Sequence, residues 1–132
     1  MKRAAILFFV TCAIGFAAPE PLLPKGWEPD IEMVFQKLDE ELQQEKAQLG
    51  MNLISARMSE VRDAQLALAY TQLYVLLPAP EQQKLKREKK SNAAAAGEEG
   101  GSLAPLEYNT AHIAFTTERL KALQQRLKTA AK

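Results

Sequence analysis

Leu106, Ile113, Leu120 and Leu127 stand at intervals of seven, with Leu123 at one intervening position and Thr116 at another. A repeat of seven keeps apolar side chains on one stripe of an α-helix, and such a stripe is stable only when another helix covers it. Tyr108, His112 and Phe115 flank the seam at steps of four and three, which makes the face wide enough for two covering helices. The chain holds other stripes that could cover it. Ile31, Phe35, Leu38, Leu42 and Leu49 recur at helical spacing, with Val34 widening the stripe and Glu45 in the skipped place. Ile54, Met58 and Val61 form a second run, and Leu66, Tyr70, Leu73 and Leu77 a third. Few aromatic residues and many Ala, Leu, Glu, Gln and Lys agree with helix throughout. The predicted fold is all-α: a small bundle or hairpin with one long N-terminal helix over about 30–77 and two shorter helices over about 81–95 and 105–129.

Asp30, directly after Pro29, is a good N-cap for the long helix, and Pro78 and Pro80 stop it. Unbroken, it would run about 70 Å at 1.5 Å per residue. Gly50 and Asn52 weaken its middle, and a kink or break at Gly50 is the open alternative. Pro80 sits in the first turn of the second helix. That helix has one large apolar residue, Leu85, among Lys84, Lys86, Arg87, Lys89 and Lys90, relieved by Glu81 and Glu88. It reads as a solvated face or as a docking surface for an acidic partner. Gly97, Gly100 and Gly101, with Glu98 and Glu99, predict a flexible loop over 97–102. Ser102 or a neighbour caps the last helix, whose first turn holds Pro105.

The N-terminus carries an address. Lys2 and Arg3 precede an uncharged stretch from Ala4 to Phe16, followed by Ala17, Ala18 and Pro19. A basic start, a short apolar run and a small-residue exit describe a secretory signal peptide over residues 1–17. The run is too short to span a bilayer, which takes about 20 apolar residues. Lipidation at Cys12 is the alternative, although the apolar sequence continues past that cysteine. Residues 18–29 carry Pro19, Pro21, Pro24, Gly26 and Pro29 and predict an extended leader rather than helix. Trp27 within it is either an anchor folded back on the helices or a partner contact. Residues 30–132 then form one helical domain, exported to the periplasm or secreted.

The chemistry-bearing residues are sparse. The full chain of 132 residues has 17 Lys and Arg against 16 Asp and Glu. Loss of residues 1–17 removes Lys2 and Arg3, leaving 15 basic against 16 acidic groups and a net charge of −1. Such a balance lacks the basic stripe that displaces phosphate counterions, so nucleic acid is not an expected partner. One cysteine excludes a disulfide framework within the chain and a self-contained zinc finger. His112 is the single histidine, flanked by Tyr108 and Phe115 as at the edge of a packed face. It is the one base of the usual kind that could activate a nucleophile. Asp39, Glu40 and Glu41 are adjacent, so their side chains fan around a helix instead of converging on a metal. The glycines of 97–101 lack the Lys-Ser/Thr that completes a phosphate cradle. The pattern predicts no enzyme, cofactor or metal, and no membrane span.

Four stretches together resemble the LprI-type lysozyme-inhibitor family, small helical proteins exported by bacteria. Leu66-x-x-x-Tyr70-x-x-Leu73 is similar to the family's first helix motif. Leu77-Pro78 with Glu81, Gln82 and Leu85 resembles its turn into the next helix. Gly100-Gly101-Ser102-x-x-Pro105-Leu106 resembles its G-G-S loop. Thr117-x-Arg119-x-x-x-Leu123 is close to its closing T-x-x-R-x-x-x-L motif, with Thr116 in the better register. The resemblance covers about residues 66–123, and the stretch between the second helix and the loop lacks the family's Trp and Cys. It implies structural roles for Leu66, Tyr70, Leu73, Pro105, Leu106, Arg119 and Leu123. It also implies an exported binding protein that inhibits a lysozyme or other wall hydrolase. The route expected from this chain's own residues is a loop that plugs the sugar cleft, with Lys89, Lys90, Gly100, Gly101 and Ser102 as the contact residues. The rival expectation is an envelope structural or assembly protein whose long helix pairs with a partner or a second copy, giving a homodimer in the latter case.

Overall fold

The computed structural model describes Gly26, residues 30–99 and residues 104–132, with side chains described to residue 95 in the third helix. It is all-α. The elements run α1 (Ile31–Gln44), α2 (Gln48–Leu76), α3 (Ala79–Glu99) and α4 (Pro105–Ala130). The expected signal peptide, the expected leader apart from Gly26, Trp27 included, and Gly100, Gly101 and Ser102 lie outside the described residues.

The N-terminal stripe does not form one long helix. Asp30 caps α1 as expected, its Oδ1 accepting from the Met33 amide at 2.9 Å. The helix then ends at Gln44, and Glu45 and Ala47 take extended backbone angles. The chain turns back there, so that Glu32 near the start of α1 meets Arg62 of α2. The break falls at Glu45–Ala47, ahead of Gly50, and a side chain caps it. Oε1 of Glu45 accepts the amides of Lys46 and Ala47, both at 2.8 Å, where the entry to α2 leaves donors without intrahelical partners. Gly50 serves this turn from inside α2. A Cβ placed on it would lie 2.7 Å from Glu45 Cγ and would overlap the carboxylate outright. The glycine therefore gives the capping side chain room. The change of direction also removes Leu49 from the predicted stripe, and it stands 70% exposed.

Residue numbers rise together where α2 and α4 touch: Ser55 with Asn109, Asp63 with His112, Tyr70 with Arg119. These two helices are therefore parallel, and they form the main interface of the fold. Helices α1 and α3 each run antiparallel to α2, on separate faces of it. The core unites Ala69, Tyr70, Leu73, Leu85, Leu120 and Leu123, with Leu66, Tyr74, Leu77 and Leu127 packed around it. The heptad seam of α4 and the third apolar run thus meet each other. Thr116 holds its seam position fully inside because its hydroxyl bonds back to the carbonyls of His112 (2.8 Å) and Ile113 (3.1 Å).

The turn into α3 is tight. Pro78 accepts the amides of Glu81 and Gln82, and the Gln82 side chain donates to the Tyr74 carbonyl at 2.9 Å. The Tyr74 carbonyl, which also accepts the Leu77 amide at 3.3 Å, is thereby tied to the first turn of α3. Leu85, the lone large apolar residue of α3, is only 2% exposed. Helix α3 begins before the predicted Glu81 and runs past Ala95 through Glu99, so Gly97 is helical rather than part of a loop. The alanines at 93–96 are the best helix formers, and they offset the roughly 1 kcal/mol that a helical glycine costs. Helix α4 opens at Pro105 as expected, with Ala104 as its N-cap.

Candidate functional site

Tyr70 is the point where three helices are joined by polar groups. Its hydroxyl accepts from Nδ2 of Asn92 on α3 at 3.1 Å and from Nε of Arg119 on α4 at 3.0 Å. Arg119 continues outward to Glu88 at 3.3 Å, and Arg126, two turns further along α4, reaches the same Glu88 oxygen at 2.8 Å. The hydrogen bond from Arg126 holds the Glu88 carboxyl below the ordinary glutamate range, partial burial opposes this, and the charges of Arg126 and Arg119 add to it. Helix α3, which touches its neighbours at few places, is thus fastened through Leu85 and this chain of charges.

The use of Glu88 has an electrostatic consequence. Its charge is spent toward α4, so it no longer relieves the lysines on the other side of α3. Lys86 Nζ stands 5.1 Å from the centroid of the Tyr74 ring, and Lys89 Nζ stands 5.8 Å from that of Tyr70. Among the described residues, neither lysine forms an ion pair. Between the two tyrosines and Leu85 lies an open cavity of about 200 Å³, completed by Thr71 and rimmed by the two lysines. Lys90 is exposed one position further along α3. This face of α2 and α3 combines aromatic surface with unpaired positive charge.

A second polar cluster fastens α1. Arg62 is buried, and its guanidinium lies 3.5 Å from the centroid of the Phe35 ring. Its Nη1 donates to Glu32 Oε2 and Gln65 Oε1, both at 2.6 Å, and Nη2 reaches Glu32 Oε1 at 3.3 Å. Hydrogen bonds from Arg62 and Gln65 hold the Glu32 carboxyl below its ordinary range. The sequence carried a signal for this. Arg62 follows Met58 by four and precedes Leu66 by four, so a charge stands on the apolar stripe and requires a partner.

His112 does lie at the edge of a packed face, stacked on Tyr108 with ring centroids 6.1 Å apart. Its Nε2 is 2.9 Å from Asp63 Oδ1, a contact that sequence reasoning missed because 49 residues separate the pair. Among the described residues no group of three or more His, Cys, Asp and Glu converges as a metal site would require. Nor is any helix among them long and apolar enough to cross a membrane.

The residues that carried the resemblance are therefore distributed as follows. Tyr70, Leu73, Arg119 and Leu123 come together at the centre, with Leu66 packed against them. Pro105 and Leu106 form the first turn of α4. Lys89 and Lys90 lie exposed on α3, and Gly100, Gly101 and Ser102 fall outside the described residues. No family model, curated protein or solved structure matches the chain.

Proposed function

We propose that this chain is an exported, non-enzymatic helical binding protein of the kind the LprI-type inhibitors represent. It inhibits a lysozyme or another cell-wall hydrolase by occluding the sugar cleft. The observation that carries this reading is the meeting of Tyr70 and Arg119 at 3.0 Å over Leu73 and Leu123. The residues of two separate motifs, read as structural from the resemblance, serve one joint that fixes α3 and α4 on α2. What that joint holds outward is a surface of lysines and aromatic rings. Hydrolases of this class work through two carboxylates beside the scissile bond, and a cationic projection seated there denies access to substrate. Lys89 and Lys90, exposed on α3, supply the positive charge for that contact. The test is turnover of several lysozyme types with a molar excess of the processed chain. Stoichiometric slowing of one of them supports the proposal, and undiminished rates for all of them end it.

A second reading, assembly through self-pairing or a partner helix, is favoured by Leu49 and Leu53, exposed one turn apart near the α1–α2 turn. The stripe from Ile31 to Leu42 is less available for that purpose, because it is partly buried with α1 folded against α2. Sedimentation of the processed chain separates the readings. A monomer at micromolar concentration counts against self-pairing, and a dimer lost on Leu49→Glu supports it.

A further inference from the structure

We propose that the groove between α2 and α3 docks an acidic segment of a protein partner, with one apolar side chain of that segment seated between Tyr70 and Tyr74. The inference rests on the reading of the chain as a binding protein and assigns the chemistry of what it binds.

The groove is built for an anchor. Leu85 and Tyr70 are buried beneath it, and Tyr74 and Thr71 line it. The Tyr70 ring cannot readily turn away, since Asn92 and Arg119 both hold its hydroxyl. An apolar side chain entering here meets a surface that is already ordered, which lowers the entropy lost on binding. The volume of about 200 Å³ decides between occupants. Small-molecule sites run from about 300 to 1,000 Å³, and an acyl chain needs a longer trough than this. A single leucine or phenylalanine side chain is the better match.

Charge fixes the rest. Two ammonium groups stand at the mouth, each above a tyrosine ring, and no carboxylate among the described residues meets either one. The rings support the lysine stems, so the heads are held at the rim instead of sweeping through solvent. Glu88, the nearest acid along α3, is committed to Arg126 and Arg119. Carboxylates flanking an apolar anchor would complete both lysines as the anchor enters. The rim charges set encounter rate and choice of partner, and the buried anchor supplies most of the affinity.

The experiment uses the processed chain and a fluorescein-labelled peptide in which one phenylalanine is flanked by aspartate and glutamate, read by fluorescence polarisation. Saturable binding is expected, weakened by about tenfold or more in the Lys86→Glu/Lys89→Glu variant. Replacing the peptide's phenylalanine by glycine weakens it as well. Thr71→Trp, which fills the groove from an exposed position without changing charge, blocks binding, with circular dichroism showing the helices intact. Lys128→Glu, on α4, leaves it unchanged. The proposal is overturned if the peptide does not bind saturably, or if both groove variants bind it like the parent chain. It is also overturned if phosphatidylglycerol vesicles bind this face and the peptide does not. No hydrolase is present in this assay. Inhibition that fails while the peptide binds removes the lysozyme reading alone, and the reverse result removes this site alone.

Discussion

Tyr70 and Arg119, 49 positions apart, meet at 3.0 Å where α2, α3 and α4 converge, and the phenol oxygen is the acceptor for both neighbouring helices. This joint ties the least packed helix of the fold to the most packed pair. Replacing Tyr70 with Phe keeps the ring and removes the oxygen. Arg119 Nε and Asn92 Nδ2 then lose their acceptor in a partly buried setting, at a cost of about 1–3 kcal/mol. Urea denaturation of the two proteins measures it. Equal midpoints would show that the hydroxyl does not tie the helices.

Burial separates two leucines that the sequence treated alike. Leu123 is 0% exposed and Leu49 is 70% exposed, although both lie on apolar stripes. Leu123→Ala is expected to cost about 2–5 kcal/mol through lost transfer energy and an unfilled cavity. Leu49→Ala is expected to stay within about 0.5 kcal/mol of the parent. Thermal unfolding of the pair checks the ordering, and similar losses at both sites would contradict the packing described.

Gly50 and Glu45 are coupled. A glycine in a helix ordinarily costs about 1 kcal/mol relative to alanine, so Gly50→Ala alone should stabilise. Here the added methyl group displaces the carboxylate that caps Lys46 and Ala47, a loss on the order of 0.5–2 kcal/mol. Gly50→Ala is therefore expected to be neutral or destabilising in the parent chain and stabilising in a Glu45→Ala background. A double-mutant cycle in urea reads the change of sign. The same gain in both backgrounds would disconnect the two residues.

Acid should loosen α1 and α3 by the same mechanism. The carboxyls of Glu32 and Glu88 are both held below the ordinary range in the folded chain, chiefly by hydrogen bonds from Arg62 and Arg126. A lowered folded pKa means that the unfolded chain takes up protons first. The stabilisation is complete above the unfolded value of about 4.3 and is lost as pH falls from there through the lower folded values. The loss of stability between about pH 5 and pH 3 should be shallower in Glu32→Gln and in Glu88→Gln than in the parent. Urea midpoints across that range measure it, and parallel curves would remove the ion pairs from the account.

The apolar seams were legible in the sequence because their periods reach over several turns. Tyr70 and Leu73 meet Leu120 and Leu123 of the α4 seam in the core, with Leu66, Leu77 and Leu127 packed against it, and Leu85 is buried as the sole large apolar anchor of its helix. The ends of elements were less legible. The turn at Glu45–Ala47 depends on a side chain bonding to nearby amides, which periodicity does not register, and Gly50 offered itself as the more obvious weak point. The length of α3 turned on alanines outweighing Gly97. The joints were the least legible, since Tyr70–Arg119, Glu32–Arg62 and Asp63–His112 each span 30 or more residues and exist only once the helices are placed. The basic face of α3 was visible as composition. The inward commitment of Glu88, which leaves Lys86 and Lys89 unpaired, needed the fold.

The most direct measurement of the central claim is the turnover of a susceptible lysozyme with the processed chain and with a Lys89→Glu/Lys90→Glu variant of matched thermal midpoint. Both lysines are exposed on α3, so the reversal leaves the core intact. The account predicts that the parent chain suppresses turnover and that the variant suppresses it at least about tenfold less potently. Equal suppression by the two proteins, or none by either, contradicts it.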